Sequence, residues 1–310
     1  MAMGHGGHGG NVSAGGDRRA LVLAGILTGV YFGVELGLGL WTGSVAVTSD
    51  AFHTFSAVGG VLIALVAQRL GERPASEQHT FGWFRAEIIG ALFNGVFLVV
   101  MAAYVFWMGA MRLMDPHQLS TNVMLLAAFG GIATEVVAFW LLYERQKGNL
   151  NMKGAFWHVI QTFVGSLIII VSALVVRYTG FLEIDPILGM AFGVVLFWAS
   201  WSIIGSSLRV LLQGTPEGFD LRAAIEALEG IEGVEDVHHV HAWSLTSGQN
   251  VFSAHLRVRD YGANGERILR EASDDLKHRF GVYFSTVQVE EKCLSSERDA
   301  AAIDITGKAV

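Results

Sequence analysis

Six apolar runs, each long enough to cross a lipid bilayer, constrain this 310-residue chain more than any other feature. They lie at roughly 20–41, 45–68, 84–112, 120–143, 154–178 and 184–212. A spanning helix needs about 20 predominantly apolar residues, because every backbone group must be satisfied across the hydrocarbon layer. The breaks carry turn or charge signals: Thr42-Gly43, Gly71 to Ser76 with Pro74, Asp115-Pro116, Glu144 to Asn151, and Tyr178 to Glu183. Pro186 falls in the first turn of the last span, where its missing N–H costs little. Charged residues make up only 16% of the chain and gather before Arg19, in the connectors and after Gln213. The first ten residues lack the charged-then-apolar layout of a cleaved leader, so the first run is expected to be a permanent helix.

The basic residues give a topology. Arg18, Arg19, Arg69, Arg73, Arg85, Arg145, Lys147 and Lys153 fall on one side of the spans, and only Arg112 and Arg177 on the other. The positive-inside bias then puts both termini in the cytoplasm, at the inner membrane if the source is bacterial. The expected organisation is a flexible His/Gly-rich tail at 1–18, a six-helix transmembrane domain at 19–213, a soluble domain at 214–293 and a disordered tail at 294–310. Within the soluble domain, Phe219 to Leu228 reads as an amphipathic helix, Val234 to Trp243 and Val251 to Arg259 as strands, Glu266 to Phe280 as a helix and Val282 to Val289 as a third strand. That order describes a small open α+β sheet. The net charge of −7 argues against nucleic acid as a partner, and the one cysteine, Cys293, excludes an internal disulfide.

Ionisable side chains inside membrane spans are costly and face polar interiors. Here they are Glu35, Asp50 with His53, Glu87, Glu135 and His158, with Asp185 at a span edge. Imidazole and carboxylate suit zinc and neighbouring first-row metals. Asp50 and His53 are three residues apart and share a helix face, as do His158, Gln161 and Thr162. If the second and fifth spans meet, two imidazoles and one carboxylate could converge on a metal, with Glu135, Thr162 and Gln161 as further candidates. Either histidine alone could equally bond a backbone carbonyl of a neighbouring helix, and Glu35 and Glu87 read first as structural. Because both ligand types titrate, metal binding and protonation would compete.

The soluble domain carries a second set: His238, His239 and His241 in one strand, His255 in the next, then Glu290, Glu291 and Cys293. Strict strand alternation puts His239 and His241 on one face and His238 on the other. These types could hold zinc, or form a solvated sheet face. His5 and His8 sit in the Gly-rich tail, where ordering entropy opposes binding.

Five stretches together resemble the cation diffusion facilitator family, in particular its zinc-transporting branch: Gly43 to His53, Thr80 to Ala91, Gly154 to His158, Ile184-Asp-Pro186 and Val237 to Thr246. The resemblance runs from about Leu21 to Val289. It implies six helices plus a ferredoxin-like cytoplasmic domain, a homodimer, and export of a divalent metal in exchange for protons. It also implies a transport site made of a His-x-x-x-Asp or Asp-x-x-x-Asp pair in the second helix and another in the fifth. His53 and His158 match the first positions. The second positions are Ala57 and Thr162, so both expected carboxylates are missing. Asp50, one turn before His53, is the nearest substitute. In the cytoplasmic domain the resemblance implies metal ligands at His238 and His255, with an acidic position near Glu290 or Glu291.

The expected function is therefore secondary transport of a divalent cation, zinc first, with the lipid bilayer, protons and a second copy of the chain as partners. Zinc would be substrate and, in the cytoplasmic domain, a regulatory ion; no organic cofactor is expected. The alternative is a non-transporting auxiliary subunit or metal sensor in a heterodimer, for which Ala57 and Thr162 are the support. Nothing favours an enzyme: there is no phosphate-binding glycine loop, no nucleophile–base pair and no His-Glu-x-x-His motif.

Overall fold

Each apolar run folds as one long helix: α1 (Asn11–Thr42), α2 (Val45–Gly71), α3 (Arg85–Met114), α4 (Thr121–Tyr143), α5 (Leu150–Thr179) and α6 (Ile184–Leu211). They are followed by α7 (Leu221–Glu229), β1 (Val234–Thr246), β2 (Gln249–Val258), α8 (Tyr261–His278) and β3 (Val282–Glu290). This computed structural model describes residues 11–71, 73–143, 150–292 and 305. His5, His8, Cys293 and the connector at 144–149 lie outside the described residues. α1 starts at Asn11, so residues 11–18, expected as part of a flexible tail, continue the helix. Adding residues to an existing helix costs far less than nucleating one.

Among the described residues, α1, α3, α4, α5 and α6 contain stretches long and apolar enough to cross a membrane. α2 has 27 residues, with Asp50 and Arg69 as its only Asp, Glu, Lys or Arg. The chain divides into two units: Met1–Arg69 with Gly90–Ile204, and Leu70–Ile89 with Gly205–Val310.

In the first unit, large apolar side chains such as Trp41, Trp107, Trp140 and Trp198 are exposed, while the buried contacts use small residues. Lipid gives no hydrophobic push between helices, so close approach by small side chains has to supply the packing. Ala46 and Val47 of α2 pack with Met124, Ala127 and Ala128 of α4 and with Ile169 and Ala173 of α5. Val45 and Phe52, also on α2, pack with Ala102 and Val105 of α3 and Leu196 of α6. α2 is thus held between two groups of helices. Its start is fixed by α6: the buried Asp185 carboxylate accepts from the Ser44 hydroxyl at 2.6 Å and the Val45 amide at 2.7 Å. A carboxylate here satisfies amides that a helix start leaves without partners and opposes the positive end of the dipole.

The second unit has a three-stranded sheet in the order β1-β2-β3. β1 and β2 are antiparallel and β2 and β3 parallel. The tight β1–β2 turn ends at Gly248, whose φ of +74° suits glycine. A parallel neighbour needs a crossover, and α8 provides it. The core of Leu228, Phe252, Leu256, Ile268 and Leu276 lies between the sheet and the two helices. α7 is capped by Asp220, which accepts from the Ala223 amide at 2.9 Å. The α2–α3 connector belongs to this unit: His79 stacks on Trp83 at 4.3 Å, and Phe81 meets Phe284 of β3 edge-on.

Candidate metal centres

Asp50, His53 and Thr54 occupy successive turns of α2 facing the interior of the first unit, and all three are buried. Glu35 of α1 is completely buried beside them. The Tyr31 hydroxyl, one turn before Glu35, lies 3.2 Å from Glu35 Oε1 and 2.6 Å from the Ala127 carbonyl of α4. Thr54 donates to Glu35 Oε2 at 3.3 Å. The carboxyls of Asp50 and Glu35 adjoin. His53 sets its ring edge-to-face against Phe192 of α6, with centroids 5.3 Å apart. Glu135 of α4, also buried, accepts at Oε1 from Ser166 of α5 at 3.1 Å. The Thr162 hydroxyl adjoins this carboxyl but donates to the Val159 carbonyl at 3.0 Å.

Two glycines make this convergence sterically feasible. A β-carbon at Gly131 would fall 2.5 Å from Ser166 Oγ and 2.8 Å from the Tyr31 hydroxyl. One at Gly165 would overlap the Asp50 carboxylate. Glycine at these two sites lets α4 and α5 approach polar groups of α1 and α2 without an intervening side chain.

The result is a buried cluster of the carboxyls of Glu35, Asp50 and Glu135 from three helices, with His53 one turn from Asp50 on α2 and hydroxyls of Tyr31, Thr54, Thr162 and Ser166 beside the carboxyls. The buried polar residues among those described include no lysine or arginine. Buried carboxyls without a basic partner need protons or a metal cation to be tolerated. Glu35, for which the sequence leaves a structural role and a place beside the other acids both open, adjoins Asp50 and Thr54. The side chains of His158, Gln161 and Ala57 lie outside the described residues. Glu87 and Asp185 are elsewhere. Glu87, in the first turn of α3, accepts from Thr246 at 2.7 Å within the second unit, and Asp185 caps α2. Tyr31 and Ser166 were missed because hydroxyl residues in apolar helices carry no distinctive spacing; the glycines four residues before Glu135 and one before Ser166 were the available signal.

In the second unit, His238, His239 and His255 bring one ligand nitrogen each to within 4.8 Å of one another. The expected alternation fails here. His239 adopts φ +49° and the β1–β2 register breaks between His238 and His241. A bulge adds a residue to one strand and re-aims its side chains, so His238 and His239 join one cluster while His241 pairs with Ser253 outside it. The Glu290 carboxylate lies 3.0 Å from His238 Nε2 and 3.4 Å from His255 Nδ1. Asp236, not singled out from sequence, holds His238 Nδ1 at 3.1 Å. Burial lowers the basicity of His255 more than the Glu290 carboxylate raises it, which favours the neutral ring that a metal needs. Glu291 is exposed and accepts from the Tyr261 amide at 3.0 Å, so it stands outside the cluster.

Two family descriptions match successive parts of the chain. Residues 21–212 match the cation efflux transmembrane domain, and residues 216–292 the cytoplasmic domain of cation efflux proteins. The chain belongs to the cation efflux family. This is the cation diffusion facilitator family, whose members are transporters rather than enzymes, and the chain is an integral, multi-pass membrane protein. Among its relatives in the family, the metal cation efflux system protein CzcD of Cupriavidus metallidurans is 33% identical over 277 residues, covering 89% of this chain and 87% of that protein. The cadmium, cobalt and zinc/H(+)-K(+) antiporter of Bacillus subtilis is 32% identical over 292 residues, covering 93% and 92%. The zinc transporter ZitB of Escherichia coli is 32% identical over 205 residues, covering 66% and 65%.

Proposed function

We propose that this chain exports a divalent metal cation, zinc first, from the cytoplasm in exchange for protons. The reading is supported above all by the buried set of Asp50, His53, Glu35 and Glu135, which has the donor chemistry of a borderline metal and, among the described residues, no buried lysine or arginine to satisfy it. In this reading the transport site lies between α2 and α5 around His53 and His158, with Asp50 contributing a carboxylate. The ligands must shed protons to take the metal, so metal and protons alternate at the same atoms. Rocking of helices around the site would expose it to each side in turn. The relatives named for zinc, and for cadmium and cobalt beside it, agree with this donor set.

Both termini then face the cytoplasm, following the arginine and lysine asymmetry. Zinc at His238, His239 and His255, with Glu290 as a nearby carboxylate, would neutralise acidic charge and regulate a homodimer. The auxiliary-subunit reading rests on Ala57 and Thr162. It is weaker now that buried carboxyls other than the two missing ones accompany His53.

The purified chain reconstituted in proteoliposomes tests the reading. Zinc uptake driven by an imposed proton gradient is expected for the wild type and not for His53→Ala/His158→Ala. Uptake only when a second family member is co-reconstituted would instead establish the auxiliary role.

A further inference from the structure

Resting on that transport reading, the geometry points to Glu135 of α4 as a direct ligand of the transported cation, supplying the carboxylate that α5 lacks at Thr162. Two neutral imidazoles leave a dication without charge compensation in a low-dielectric interior. The compensating charge has to come from carboxyls that reach the same cavity.

Glu135 is distinguished from the other two acids by how it is held. Glu35 has a hydroxyl against each oxygen, from Tyr31 and Thr54. Glu135 is fixed on one side only. Ser166 donates to Oε1, whereas Oε2 is buried with no hydrogen-bond partner among the described residues. Glu135 as a whole residue is only 8% exposed. An ionisable group held at one oxygen and left open at the other is the arrangement of a ligand oriented by an outer-shell hydrogen bond. Glu135 lies close enough to Glu35 and Asp50 for the three carboxyls to act on one another electrostatically. Asp50 Oδ1, on α2, is likewise buried without a hydrogen-bond partner among the described residues.

Thr162 explains why the ligand comes from α4. Its hydroxyl adjoins the Glu135 carboxyl but turns back to its own helix at the Val159 carbonyl. A hydroxyl so engaged adds no charge to the site. Glu135, whose side chain is one methylene longer than aspartate, reaches the same neighbourhood from the facing helix. Cation binding would then draw on α4, tying its position to the loading state of the site.

The test uses the full chain in proteoliposomes with zinc as the probe, comparing wild type, Glu135→Gln, and Glu135→Gln/Thr162→Asp. Glu135→Gln keeps the side chain's size and is expected to lower apparent zinc affinity at least about 10-fold, the lower bound for disturbing even an outer-shell group of a metal site. The double variant moves the carboxylate to α5 and is expected to recover most of that loss. Wild-type affinity in Glu135→Gln would overturn the inference. So would a folded double variant that stays as impaired as the single one, because Glu135 would then act only by holding the helices. Equilibrium zinc binding, measured on the full chain carrying His238→Ala/His255→Ala to weaken the cytoplasmic cluster, separates the two levels of the argument. A Glu135-dependent affinity without any uptake contradicts the transport reading alone; Glu135-independent binding contradicts this inference.

Discussion

Replacing Gly165 by alanine puts a β-carbon on α5 in the space filled by the Asp50 carboxylate. The new atom would sit 2.6 Å from Asp50 Cγ and 3.0 Å from Oδ2. Carbon atoms in contact settle at about 3.5–4.0 Å, so the carboxyl has to retreat by about 1 Å or the two helices have to part. Both are buried and both cores around them are packed, so neither adjustment is free; overpacking of this kind costs about 1–3 kcal/mol. If Asp50 helps bind the cation, a 1 Å displacement lowers function far more than stability. The effect of such a misplacement on a positioned group is about 10²-fold. Gly165→Ala is therefore expected to fall at least about 10-fold in zinc uptake at limiting zinc while remaining monodisperse in detergent. Gly33→Ala is the control, since a β-carbon there meets nothing within 4 Å. Equal uptake by Gly165→Ala and wild type across a zinc titration would refute the reasoning, because it would mean that the Asp50 carboxylate can be moved without consequence.

Three further outcomes follow from contacts outside that pocket. Asp236→Ala frees His238 Nδ1 and is expected to weaken zinc binding by the cytoplasmic cluster about 10–100-fold, read by chelator competition on the full chain; unchanged affinity would remove Asp236 from the site. Asp185→Ala leaves the Ser44 hydroxyl and the Val45 amide without their acceptor and is expected to destabilise the helical unit by about 1–3 kcal/mol, seen as a lower thermal midpoint in detergent; no shift would mean that α2 is capped by other groups. Thr246→Val removes the donor to Glu87 and is expected to cost about 1 kcal/mol by the same assay, with an unchanged midpoint refuting it.

The architecture was legible because its signals are long. A run of 20 apolar residues has few alternatives to a spanning helix, and the α+β order of the soluble domain follows from changes of hydrophobic period that survive errors at element ends. The sites were legible only in part. Sequence names the ionisable residues of a helix but not the rotation and depth that decide which of them meet. Asp185 looked like an edge member of the intramembrane set and Glu87 like a structural group, and each sits at the first turn of its helix and is engaged there, by the start of α2 and by Thr246. Glu35, which could be read either as structural or as a member of that set, lies buried beside Asp50. The cytoplasmic histidines show a different failure. Alternation was the right rule for a regular strand, and a left-handed backbone at His239 broke it. Nothing in Val237 to Trp243 announces that bulge, because histidine is neither the usual residue for positive φ nor an excluded one.

The central claim is that a divalent cation binds inside the membrane-spanning unit, among Asp50, His53 and Glu135. Anomalous X-ray diffraction from zinc-soaked crystals of the full chain tests it most directly. The account predicts a zinc peak within coordination distance of the carboxylate oxygens of Asp50 and Glu135 and of the His53 ring. Zinc found only at His238, His239 and His255, with no peak between α2, α4 and α5 at saturating metal, would contradict it.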